Sequence, residues 1–144
     1  MIEQDTVKLL RECDAGVKMG VTSIEDVMDH VRAQELRDCL SSCKEAHQKL
    51  AAEIEAALNR FHDDGKDPDP IAKGMSWMKT NWKLAMDESD AVIADLMTDG
   101  CNMGVKSLSR YLNQYAAADE AAKDITKRLI RLEEALAVHM RDFL

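Results

Sequence analysis

Cys43 and His47 stand four residues apart in a stretch with no helix breaker. That spacing puts a thiol and an imidazole on one helix face, close enough to share a soft metal ion. Two more cysteines open a repeated element, Cys13-Asp14-Ala15-Gly16-Val17-Lys18 and Cys101-Asn102-Met103-Gly104-Val105-Lys106. A thiol next to an imidazole that a carboxylate orients supports either metal ligation or thiol redox chemistry. The candidate set is therefore Cys13, Asp14, Cys43, His47 and Cys101, with Asp14 as the group that orients the ring and Glu133 at the margin. The bland alternative stands beside it. A cysteine on an apolar stripe commonly acts as a small hydrophobe, and a core histidine is commonly satisfied by Asp14 or by backbone.

These residues need long helices to carry them, and the composition supplies the material. Among 144 residues there are two Pro and six Gly, against many Ala, Leu, Glu, Lys and Met, which lose little on entering a helix. A first helix over about 4–30 is predicted from Val7, Leu10, Val17, Val21, Ile24 and Met28. The second steps by four and three through Leu36, Leu40, Cys43, His47, Leu50, Ile54, Ala57 and Phe61, the seam of a bundle helix. It should stop in the polar stretch 62–70, where Gly65 suits a helix end and the prolines forbid continuation. A short helix over about 72–86 follows. A third long helix begins at an N-cap of Ser89 or Asp90 and carries Ile93, Met97, Cys101, Val105, Leu108, Leu112 and Tyr115. The fourth carries Ala118, Ala122, Ile125, Leu129, Leu132, Leu136, His139 and Phe143.

Connection lengths then order the helices. Turns near 31–34 and 116–119 are short, so each half is an antiparallel hairpin, 4–62 and 89–144. The crossover, 63–88, is long enough to run the length of the bundle, which predicts one domain over 1–144 with up-down-down-up connectivity. Reflecting each hairpin about its turn sets Cys13 and Asp14 opposite residues 47–52, and Cys101 and Asn102 opposite Glu133 and Glu134, to within about a turn. Gly16, Gly20, Gly100 and Gly104 each weaken a helix by roughly 0.5–1 kcal/mol, and close approach of the first and third helices would explain them.

The chain has 27 acidic and 19 basic residues, a formal charge of −8, which disfavours nucleic acid and anionic lipid. The acidic start, Met1-Ile2-Glu3-Gln4-Asp5, is unlike a secretory signal, and no stretch reads as a membrane span. A cytoplasmic protein with four free thiols is expected. Asp63, Asp64, Asp67 and Asp69 do not follow the ligand register of an EF-hand. In the short crossover helix Met75, Trp77, Met78, Trp82, Leu84 and Met86 face more than one way, which suits capping the bundle while contacting a second copy in a homodimer.

Two duplicated hairpins, a long crossover and the Cys-x-x-Gly element make nearly the whole chain resemble the ferritin-like superfamily. Within it the chain is most similar to a group of small bacterial four-helix-bundle proteins of unknown function. The resemblance implies an all-α bundle, an internal twofold and often a dimer. The superfamily's iron-binding members carry two Glu-x-x-His pairs, and here the residues three before His30, His47, His62 and His139 are Val27, Lys44, Asn59 and Leu136. Glu45 and His47 point about 200° apart on a helix. No di-iron cofactor and no ferroxidase activity are expected. Three functions remain: a non-enzymatic bundle acting through protein association, a transition-metal or thiol redox site in the midsection, and a small-molecule binding bundle.

Overall fold

The computed structural model of the protein describes residues 2–68 and 89–144. They form four α-helices, α1 (Ile2–Met28), α2 (Gln34–Asn59), α3 (Asp90–Gln114) and α4 (Glu120–Met140), and a closing 3-10 turn, Arg141–Phe143. There is no strand among the described residues, as the composition requires. The crossover helix expected at 72–86 and its six candidate interface residues, Met75, Trp77, Met78, Trp82, Leu84 and Met86, lie outside the described residues.

Helix starts follow the chemistry of unpaired backbone N–H groups. Ser89 caps α3, its hydroxyl accepting from the Val92 N–H at 3.3 Å, and Asp119 caps α4 through the Ala122 N–H at 2.8 Å. Such a cap contributes ~1 kcal/mol. Ala33 offers α2 no side-chain cap. Instead both oxygens of Asp90 accept from the turn before α2, from the Arg32 and Ala33 N–H groups at 2.8 and 2.9 Å. At the opposite end Asp5 accepts from the Ala117 N–H at 3.0 Å and Thr6 from the Asp119 N–H at 2.8 Å. So α2 and α3 begin at one end of the bundle, and α1 and α4 at the other.

Two apolar clusters fill the interior. Around one, Leu9, Leu10, Cys13 and Val17 of α1 meet Leu50, Ile54 and Leu58 of α2, Leu108 of α3 and Leu129 of α4. Around the other, Ile24 and Val27 pack with Leu36, Leu40, Ile93, Met97, Cys101, Leu136 and Met140. Each fully buried Leu or Ile contributes roughly 1.5–3 kcal/mol. His47, between Leu40 and Leu50, and Glu133, between Leu129 and Leu136, occupy the boundary between the two. On α4 the buried face holds Ile125, Leu129, Glu133, Leu136 and Met140. Of the stripe predicted on this helix His139 alone is exposed, while Leu132 and Phe143 are half-buried against the clusters and Glu133 lies inside.

The end of α2 departs from the expectation as well. The helix stops at Asn59, where the His62 N–H bonds to the Asn59 carbonyl and the Asp63 N–H to the Leu58 carbonyl, both at 3.1 Å, with His62 at φ 57°. This paired closure satisfies the last carbonyls before Gly65 is reached. Gly65, at φ 88°, is needed for a different reason, since a Cβ there would collide with the Asp14 carboxylate. Residues 63–67 are fastened along α1 by Arg11–Asp63 at 2.8 Å, Lys66–Glu12 at 2.6 Å and Lys18–Asp67 at 3.2 Å. No helix among the described residues is long and apolar enough to cross a membrane.

Candidate functional site

At the boundary of the two clusters α2 brings His47 and α4 brings Glu133 into contact, Nε2 to Oε1, at 2.7 Å. The histidine is 0 % exposed and the glutamate 9 %. Space for the pair comes from glycine. A Cβ on Gly20 of α1 would lie 2.8 and 3.0 Å from His47 Cδ2 and Nε2, and one on Gly104 of α3 would lie 3.4 Å from Glu133 Oε2. The two hairpins therefore repeat one device, a glycine on the first helix opposite a polar side chain on the second. Helices α1 and α3 do pack against each other, as the four helical glycines led us to expect, but Gly20 and Gly104 make room for side chains of α2 and α4 and not for the other helix. Gly16 makes ordinary contacts with Leu129 and Leu108 at 3.8 and 3.9 Å, and nothing in the structure explains Gly100.

The other face of the ring fixes its protonation. His47 Nδ1 lies 2.8 Å from the carbonyl oxygen of Cys43, which only accepts, so Nδ1 carries a hydrogen. One further proton is shared between Nε2 and the Glu133 carboxyl. Burial works against a charged ring, but the hydrogen bonds to Cys43 and Glu133 and the negative charge of Glu133 outweigh it, raising His47 to about 10. The imidazolium–carboxylate pair is neutral as a unit, which is what permits its burial.

Cys43 Sγ is 3.4 Å from the same Nδ1. Cys43 is half-buried and, with Cys39 and Ala46, lines a groove of about 520 Å³ whose opposite wall is Leu132 and Leu136 of α4, closed by Phe143. Asp38, His139 and Asp142 add polar atoms to it. One end of the polar chain is thus open to solvent and the other, Glu133, is enclosed.

The remaining thiols lie in settings that hold the proton. Burial pushes Cys13 up to about 11. The sulfur is 3.2 Å from Thr126 Oγ1, and that hydroxyl donates to the Ala122 carbonyl at 2.8 Å, so the thiol donates in turn. Cys101 is pushed well above the ordinary thiol range by burial, then by the negative charge of Glu133 and a hydrogen bond to it. Cys39 is raised by burial and by neighbouring Cys43. All four cysteines are free.

Of the six candidate ligands, Cys43, His47, Glu133 and Cys101 form one continuous polar chain, and Cys13 and Asp14 do not join it. Asp14, 5 % exposed, accepts from the Lys66 N–H at 2.9 Å and pairs with Lys18 at 2.8 Å. The carboxylate that orients His47 is Glu133, and the expected Asp14–His47 pairing gives way to it. The reason is register: Gly20, two turns beyond Cys13, faces His47, so Asp14 falls level with the crossover instead. Asn102 is exposed. Among the described residues no three His, Cys, Asp or Glu side chains are grouped as a metal ion would require. Cys39, Gly20 and Gly104 are absent from the sequence-derived site. Cys39 carries a usable signal, its four-residue spacing from Cys43.

The chain matches no protein-family model, no curated protein and no solved structure.

Proposed function

We propose that this chain is a bundle of ferritin-like, up-down-down-up connectivity whose working group is the Cys43 thiol, used in thiol–disulfide exchange. The ends at which the helices begin support that connectivity. One observation carries the chemistry: Cys43 alone among the four cysteines is both reachable through a groove and in contact with a protonated imidazole. A thiol acts as a nucleophile through its sulfur anion. In the exchange, Cys43 sulfur attacks one sulfur of a substrate disulfide, forms a mixed disulfide and expels the other sulfur as a thiolate, which takes the proton that Cys43 gave up. His47 places a positive charge beside the reacting sulfur, and Glu133 holds that ring in place from behind.

Protein association through the crossover, the other main reading of the sequence, rests on Trp77, Trp82, Leu84 and the neighbouring methionines, and is compatible with this site. Incubation with oxidised glutathione tests the proposal. The expected product is a single glutathione adduct on Cys43, absent in C43S and slower to form in H47Q. Adducts on Cys13, Cys39 or Cys101 with Cys43 unmodified would contradict it.

A further inference from the structure

The groove holds a second sulfur that the exchange chemistry does not use. Cys39 and Cys43 are four residues apart on α2 and line the same wall. Side chains at this spacing have Cβ atoms ~5–6 Å apart. A disulfide needs its Cβ atoms at ~3.5–4.5 Å, so joining the two sulfurs directly would require α2 to distort. One atom bonded to both sulfurs fits better. Two metal–thiolate bonds of ~2.3 Å set opposite one another separate the sulfurs by ~4.6 Å, within reach of rotatable side chains on an undistorted helix.

We infer that Cys39 and Cys43 together form a two-coordinate site for a soft monovalent cation of the copper(I) class. This deepens the thiol reading, since it rests on Cys43 being the accessible sulfur. Number and kind of ligands select the ion. Zinc takes four ligands in closed sites or three plus water in open ones, and among the described residues no group of three is available. Calcium and magnesium require six or more oxygens. Soft thiolate ligands favour copper(I), and two opposed thiolates satisfy an ion of that class. His139 and Asp142 line the groove without joining the two sulfurs in a group of three. Both cysteines are half-buried, so the ion can enter from solvent while the apolar wall of Leu132 and Leu136 shields the bound form from competing ligands. Binding displaces the thiol proton from each cysteine, so it weakens as pH falls.

The test is transfer of copper(I) from a coloured competing chelator to the full-length, reduced protein under anaerobic conditions. The expected result is one equivalent taken up by the unmodified chain and by C13A, and loss of that uptake in both C39S and C43S with helix content unchanged by circular dichroism. Copper(I) left on the chelator by the unmodified chain, or full uptake retained by C39S or by C43S, would overturn the inference. Alkylation of Cys43 in C39S, followed on the same preparations, separates the two proposals. Rapid alkylation there with no copper uptake by the unmodified chain defeats the cation site and leaves the thiol reading intact. Slow alkylation defeats the thiol reading itself.

Discussion

Raising pH from 6.5 to 8.5 should destabilise this protein by about 2 kcal/mol through His47 alone. Both ring nitrogens face acceptors or a shared proton, at 2.8 Å from the Cys43 carbonyl and 2.7 Å from Glu133, so the folded chain keeps a proton that the unfolded chain releases near ~6.5. The sign follows from the direction of the shift. A histidine raised in the folded state, here to about 10, contributes its full stabilisation below the unfolded value and loses it as pH climbs toward the folded one. The limiting slope is ~1.4 kcal/mol per pH unit for one proton. The transition near 6.5 is gradual, which trims the loss over two units to about 2 kcal/mol. Lys18 and Lys66 titrate above this window in both states. The buried thiols Cys13 and Cys101 add a small loss of the same sign only near its upper edge, where unfolded thiols begin to ionise at ~8.5, so the comparison with H47Q isolates the histidine. Urea denaturation at several pH values measures the slope directly. A flat profile across the window, or an equal slope in H47Q, would refute the protonated pair.

Glycine substitutions should sort by what their Cβ meets. In G20A the methyl reaches the buried ring at 2.8 Å and should cost ~1–3 kcal/mol as overpacking, whereas G100A, with nothing within 4 Å, should gain ~0.5–1 kcal/mol from helix propensity. Urea midpoints decide, and equal effects would contradict the packing role. G65A should lose more than ~1 kcal/mol, because its φ of 88° and its contact with Asp14 both exclude a side chain. Stability in G65A matching the unmodified chain would remove the link between the crossover and α1.

What could be read from the sequence was whatever depends on period and local chemistry. The Ser89 cap, the apolar run from Leu36 to Ile54 and the two short turns all follow from neighbours in the chain, and the four described long helices lie within a few residues of where these placed them. The site was legible only in part. Cys43 and His47 announce themselves by spacing, but the partner of His47 depends on how two helices slide past one another. A shift of nearly two turns of α1 along α2 takes Asp14 away from the ring and leaves it to Glu133, and spacing alone does not resolve that shift. Glu133 left a trace, a charged residue at the position where the sequence Ile125, Leu129, Leu136, Met140 calls for an apolar one. Burial, the property that separates Cys43 from Cys13 and Cys101, arises from all four helices together and has no local signature.

The most direct test of Cys43 as the working thiol is a site-resolved alkylation time course on the native, reduced protein, with each cysteine followed by mass spectrometry. Cys43 should be modified first, Cys39 after it, and Cys13 and Cys101 only on unfolding, since both are buried and their thiols are held protonated. In E133Q, which removes the carboxylate behind His47, the advantage of Cys43 over Cys39 should shrink. Modification of Cys43 no faster than Cys39 in the unmodified chain would contradict the account.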